Sequence, residues 1–155
     1  MRDLEGVPSL PGAYVVVLRL PQARRLSVGR LGTFLFPRGT YAYLGQAGGS
    51  GGLQARLRRH VRGPRTRRWH VDFLRTYAQP VAWGWRTGPG EPGLPLECQW
   101  SQALAGLPGV FVPAPGFGAS DCPSGCPAHL LGLPRWPMEP SLEDVLGLTG
   151  FVVSA

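Results

Sequence analysis

The sequence contains no lysine. All sixteen basic residues are arginine, whose planar guanidinium suits bidentate contact with phosphate. Acids are scarce too, nine in all, and none lies between Gly6 and Val71, a stretch that holds twelve arginines. A genome-wide preference for arginine accounts for the missing lysine but not for sixty-six residues without a carboxylate. That half of the chain is an electropositive field that recruits polyanions. Cysteine is rare, and its odd count of three excludes a fully paired disulfide framework. No apolar run approaches the ~20 residues of a membrane-spanning helix. Met1-Arg2-Asp3-Leu4-Glu5 carries two acids and no apolar stretch, so no signal peptide is expected there. These absences predict a reduced, cytoplasmic protein with no membrane partner.

What is present points to one folded domain. The 155 residues match one ordinary domain. Gly 23 and Pro 17 make up about a quarter of the chain, near the level at which low complexity is suspected. Against disorder stand 43% hydrophobic and only 16% charged residues, with five Trp, four Tyr and six Phe to fill a core.

Val- and Leu-rich Gly12–Leu20 reads as a strand, residues 25–36 as a hairpin, and Thr40–Gly45 as the next strand, an antiparallel meander in all. Glycine-rich Gln46–Gly52 follows, with Ser50 as an N-cap. Leu53, Leu57 and Val61 are spaced as on a helix. Residues 69–77 predict a second helix, 80–86 a strand, 95–104 a third helix with Leu96, Trp100, Ala103 and Leu104 inward, 129–133 a short strand and 141–146 a last helix. Strands first and helices later predict an α+β fold, a small, mainly antiparallel sheet with helices packed on it.

Arg56 and His60, four apart, share a helix face. Seven of the thirteen residues from Arg56 to Arg68 are arginine: Arg56, Arg58, Arg59, Arg62, Arg65, Arg67 and Arg68. With Arg38 and a Trp69 ring able to stack on a base, they predict a nucleic-acid surface. His70 and Asp72 begin the second helix, and Glu97 opens the third. Asp121, Cys122, Cys126 and His129 fall within nine residues. Their spacing tolerates zinc. Without a second CxxC pair, though, the loop is expected to be metal-free, with buried thiols and an Asp121 held by backbone amides.

Gly12-Ala13-Tyr14 and Tyr43-Leu44-Gly45 resemble the paired motif of the GIY-YIG nuclease superfamily. Arg56 matches its arginine and Glu97 its metal-binding glutamate. The sequence is more closely similar to one branch, the GIY-YIG-like domain of unknown function 123. Six ordered segments carry that likeness: Phe36–Gly39 with Tyr41–Gly45, Arg56–His60, Trp69–Asp72, Leu96–Gln99, Gly116–Cys122 and His129-Leu130. The resemblance as a whole covers roughly residues 10–133, which predicts a domain over 1–133 and a C-terminal extension, 134–155, packed on it or trailing it. The sequence departs from the branch at Ala13, Gln46 and Gln99, and in the wider Cys122–Cys126 spacing.

The resemblance implies hydrolysis of a phosphodiester in DNA with a single Mg²⁺ or Mn²⁺ ion on Glu97. Arg56 would hold the phosphate, and Tyr14, Tyr43 or His60 would act as base. Gly45, His70, Asp72, Ser120, Asp121, Cys122 and His129 would line the site. It also implies DNA-repair proteins as partners, because the domain in some relatives follows a repair glycosylase. Duller roles stay open for the same residues. The tyrosines fit a sheet as amphipathic residues, Arg56 fits a solvated or DNA-facing helix, and Glu97 fits a first turn, where the helix dipole favours any carboxylate. Two other functions stay open: a module that binds DNA or RNA without turnover, and a small-molecule enzyme built on the Cys122–His129 region.

Overall fold

Gly12–Leu20 (β1) is apolar at nearly every position because both faces of the strand are covered. Tyr14, Val16 and Leu18 join one buried cluster; Ala13, Val15 and Val17 join another on the opposite face. The structure, a computed structural model, describes residues 4–88, 93–120 and 122–154. Around β1 it places β2 (Arg24–Val28), β3 (Gly32–Phe36), β4 (Gly39–Ala47), α1 (Gly52–Arg62), α2 (His70–Arg75) and β5 (Gln79–Thr87). Then follow α3 (Leu96–Ala105), β6 (Leu130–Leu133), α4 (Leu142–Leu146) and β7 (Gly150–Val153). The main sheet has the order β6-β4-β1-β5-β7, with every described pairing antiparallel. The fold is α+β.

The first four strands are not one meander. β1 pairs directly with β4, from Gly12 opposite Ala47 to Leu20 opposite Gly39. β2 and β3 leave the sheet as a separate two-stranded hairpin. Its pattern explains this. Arg24, Arg25 and Ser27 are exposed, and only Leu26 and Val28 turn inward, so β2 is apolar on one face while β1 needs cover on two.

Leu53, Leu57 and Val61 lay α1 on the Tyr14 face, with Leu74 of α2 beside them. Each fully buried leucine there contributes about 1.5–3 kcal/mol. Leu96, Trp100 and Leu104 lay α3 on the opposite face, where Leu142 and Leu146 of α4 join them. Ala103 is exposed; Ser101 is buried in its stead and donates its hydroxyl to the Ala128 carbonyl at 2.8 Å. Gly51, not Ser50, caps α1, with φ 83, a left-handed conformation that glycine adopts without penalty. β7, which the sequence does not announce, pairs with β5 at the sheet edge. No described helix is long and apolar enough to cross a membrane.

Candidate active site at the end of the central sheet

Tyr14 lies opposite Gly45 in the β1–β4 register. A Cβ at position 45 would collide with the Tyr14 ring, so glycine is what lets the ring lie across the strand. Tyr43, two residues earlier on β4, turns to the same face, and the two ring centroids are 6.4 Å apart. β6 pairs with β4 only over Thr40–Tyr43. Beyond that pairing, Leu44, Gly45 and Gln46 line a cleft of about 390 Å³.

Arg56 of α1 and Glu97 of α3 enter this cleft from opposite faces of the sheet and meet the two tyrosines there. Arg68, Trp69, His70, Ser120, Cys122 and His129 line it too. Asp121 lies outside the described residues. Glu97 is the one carboxylate among the described lining residues. Partial burial pushes its carboxyl pKa up, opposed by the positive charge of Arg56.

His60 does not reach the cleft surface. It is 2% exposed and wedged behind the tyrosines, with its Nε2 2.9 Å from the Tyr14 hydroxyl and its ring centroid 5.3 Å from Tyr14 and 5.5 Å from Tyr43. Burial, reinforced by the Arg59 and Arg56 charges, lowers its pKa to about 3. Burial also pushes both phenols up: Tyr14 against the pull of Arg56, and Tyr43 well above its ordinary value.

Asp72 stands apart from the cleft as a brace. It is fully buried, and the Arg59 guanidinium donates to both its oxygens at 2.8 and 2.7 Å. The backbone N–H groups of Arg68 and Trp69 donate to it at 2.8 Å each. Burial pushes its pKa up, but these hydrogen bonds outweigh that and hold it low. Its partner is therefore Arg59; neither Arg68 nor Arg75 supplies a side chain. Arg75 instead donates to the carbonyls of His60 and Val61 at 2.9 Å each. Through Asp72 the start of α2 is fixed where Trp69 and His70 face the cleft. His70 Nδ1 accepts from the Gly118 N–H at 2.8 Å, which ties the far wall to α2.

Trp69 lines the cleft and packs against two arginines. Arg56 and Arg59 lie over its ring, 4.6 and 4.0 Å from the centroid, an arrangement that stabilises planar cations. The ring therefore positions Arg56. Arg58, Arg62, Arg65, Arg67 and Arg68 are exposed on α1 and the α1–α2 linker. Arg59 is half-buried and neutralised by Asp72. Arg38 sits at the β3–β4 turn, at the opposite end of β4 from Gly45.

The family model described as Domain of unknown function DUF123 matches residues 13–148. The chain belongs to the DUF123 family. The DUF123 match extends past residue 133 and takes in α4. No curated protein and no solved structure matches the chain.

Cys98 lies twenty-four residues before Cys122, outside the spacing that singles out the Cys122–His129 loop. It follows Glu97 in the first turn of α3 and turns to Cys122 and His129. The adjacency of Glu97 and Cys98 was the available signal, since consecutive helix residues point about 100° apart and can serve two neighbouring sites.

Proposed function

We propose that the cleft is the active site of a divalent-metal-dependent endonuclease that hydrolyses phosphodiester bonds in DNA. The observation that carries this reading is the convergence of Tyr14, Tyr43, Arg56 and Glu97 from four elements into one cleft beside an exposed arginine patch. The GIY-YIG resemblance of the same residues supports it, and a place in DNA repair rests on that resemblance alone.

The donor set fits a hard divalent cation. Glu97 is a partly buried carboxylate whose anionic form burial penalises, and Mg²⁺ is commonly held by one or two carboxylates with waters completing the shell. Such an ion on Glu97 would supply Lewis-acid charge to the phosphate. Arg56, held by Trp69, offers its fork to the non-bridging oxygens as charge builds in the transition state. Neutral His60 Nε2 orients the Tyr14 hydroxyl through their hydrogen bond, and Tyr14 would take the proton of the attacking water as a phenolate, with the bound cation and Arg56 opposing the burial that raises its pKa.

One observation favours binding without turnover. Both phenols are pushed up and His60 is pushed down, so none of the three titrates near neutral pH in the free cleft. Incubation with linear, nicked, flapped and branched DNA, with Mg²⁺ and with Mn²⁺, separates the two readings. Cleavage of any of them supports the nuclease. Binding without cleavage on every substrate leaves the DNA- or RNA-binding module.

A further inference from the structure

At the far wall of the cleft, which Cys122 and His129 help to line, three thiols and an imidazole converge. Cys98 comes from α3, Cys122 and Cys126 from the loop after it, and His129 from the residue before β6. Their ligand atoms all lie within 4.8 Å of one another. Cys98 Sγ is 3.4 Å from Cys122 Sγ and 3.8 Å from His129 Nε2. A tetrahedral zinc ion with ordinary Zn–S and Zn–N bonds sets its ligand atoms about 3.5–3.8 Å apart. The geometry points to a structural zinc site closed by Cys98, Cys122, Cys126 and His129.

Sequence spacing alone favours a metal-free loop, because Cys122, Cys126 and His129, with Asp121 as the one further candidate ligand, come without a second CxxC pair. Cys98, twenty-four residues before Cys122, supplies the fourth from a helix. Four protein ligands and no open position are the pattern of structural rather than catalytic zinc. A disulfide fits less well: it needs sulfurs at about 2.05 Å and would leave the third thiol beside it.

The surroundings explain the need for such a staple. The connection from α3 to β6 is longer than the ~12–15 residues usual for a loop without regular structure. Its corner is packed by a small separate cluster in which, among the described residues, the three cysteines are joined only by Ala119 and Leu94. A cross-link between α3 and this loop replaces the missing apolar core. It also bears on the cleft. His129 presents Nε2 to the thiols and Nδ1 to Glu97 Oε2, 3.9 Å away. A metal on Nε2 leaves the ring proton on Nδ1, facing the carboxylate. Zinc would therefore hold the cleft wall and fix the tautomer beside Glu97 without taking part in cleavage.

The test uses the full chain, expressed with Zn²⁺ in the medium and purified under reducing conditions. Elemental analysis should find one zinc per chain. The thiols should resist alkylation until a chelator is added, and the chelator should lower Tm. Replacement by Co²⁺ should give the intense visible bands of a tetrahedral thiolate site. Cys98→Ser should lose the zinc; where that variant fails to fold, the zinc content and the Co²⁺ spectrum of the wild type decide. Glu97→Gln should keep its zinc, and losing it would overturn the ligand assignment. A zinc-free wild type with three freely alkylated thiols, or with a disulfide seen by mass, would overturn the proposal. The site is independent of the nuclease reading: a protein that holds zinc but cuts no DNA refutes only the latter.

Discussion

The hydroxyl of Tyr14 and Nε2 of His60 form a hydrogen bond of 2.9 Å across forty-six residues of sequence. Tyr43, on the same face, stacks edge-on against the same imidazole. The two tyrosines are thus unequal. Tyr14→Phe keeps the ring but leaves a buried imidazole nitrogen without its partner, which should cost about 1–3 kcal/mol and most of the cleavage rate. Tyr43→Phe should leave stability nearly unchanged. Thermal melts paired with single-turnover cleavage separate the two effects.

His60 makes stability depend on pH. Its pKa falls from 6.5 to about 3 on folding, so the unfolded chain binds the proton more tightly. The stabilisation from keeping His60 neutral is fully present above pH 6.5 and is lost as pH falls towards 3. Within that window one proton contributes a slope of about 1.4 kcal/mol per pH unit. Urea unfolding at pH 7, 6 and 5 should show stability falling with pH, and His60→Gln should flatten that slope.

Gly45 should not tolerate a side chain. Its φ is not in the left-handed region; the obstacle is the Tyr14 ring against which a Cβ would press. Gly45→Ala should cost about 1–3 kcal/mol through overpacking, measured as a lowered Tm. It should also displace the Tyr14 ring and so lower the cleavage rate beyond what the loss of stability explains.

On the proposed reading, DNA binding should fall steeply with salt, because arginines that meet phosphate release counterions. Arg65 and Arg67 are exposed, so the double variant Arg65→Ala/Arg67→Ala should reduce the log–log salt slope by about 2. Arg59→Ala should act differently. It strips a buried carboxylate of its cation, so it should lower Tm, by about 3 kcal/mol of stability. Fluorescence anisotropy across a salt series, with melts alongside, checks both.

Much of this architecture is legible from periodicity. The apolar run of β1, the Leu53–Leu57–Val61 stripe and the Leu96–Trp100–Leu104 stripe each name an element and its buried face. The meeting of Tyr14, Tyr43, Arg56 and Glu97 is legible only through resemblance, since no local pattern says that α1 and α3 approach one end of the sheet from opposite faces. Three features escaped because they are tertiary. The β1–β4 pairing skips a hairpin that the sequence presents as its neighbour. Asp72 chooses Arg59, thirteen residues away, over nearer arginines because two backbone N–H groups turn the carboxylate that way. Cys98 joins Cys122 only once α3 packs against the loop. β7 is four residues long, too short to carry a periodicity.

The central claim is that Glu97 serves cleavage and not DNA binding, and a comparison of wild type with Glu97→Ala on branched DNA tests it most directly. Binding is followed without divalent metal and cleavage with Mg²⁺ or Mn²⁺. The account predicts that Glu97→Ala binds DNA at least as tightly as the wild type, because removing a carboxylate from an arginine-rich cleft adds no repulsion towards phosphate. Its cleavage rate should fall by about 10²-fold or more. A Glu97→Ala protein that cuts DNA at the wild-type rate would place the chemistry elsewhere and contradict the account.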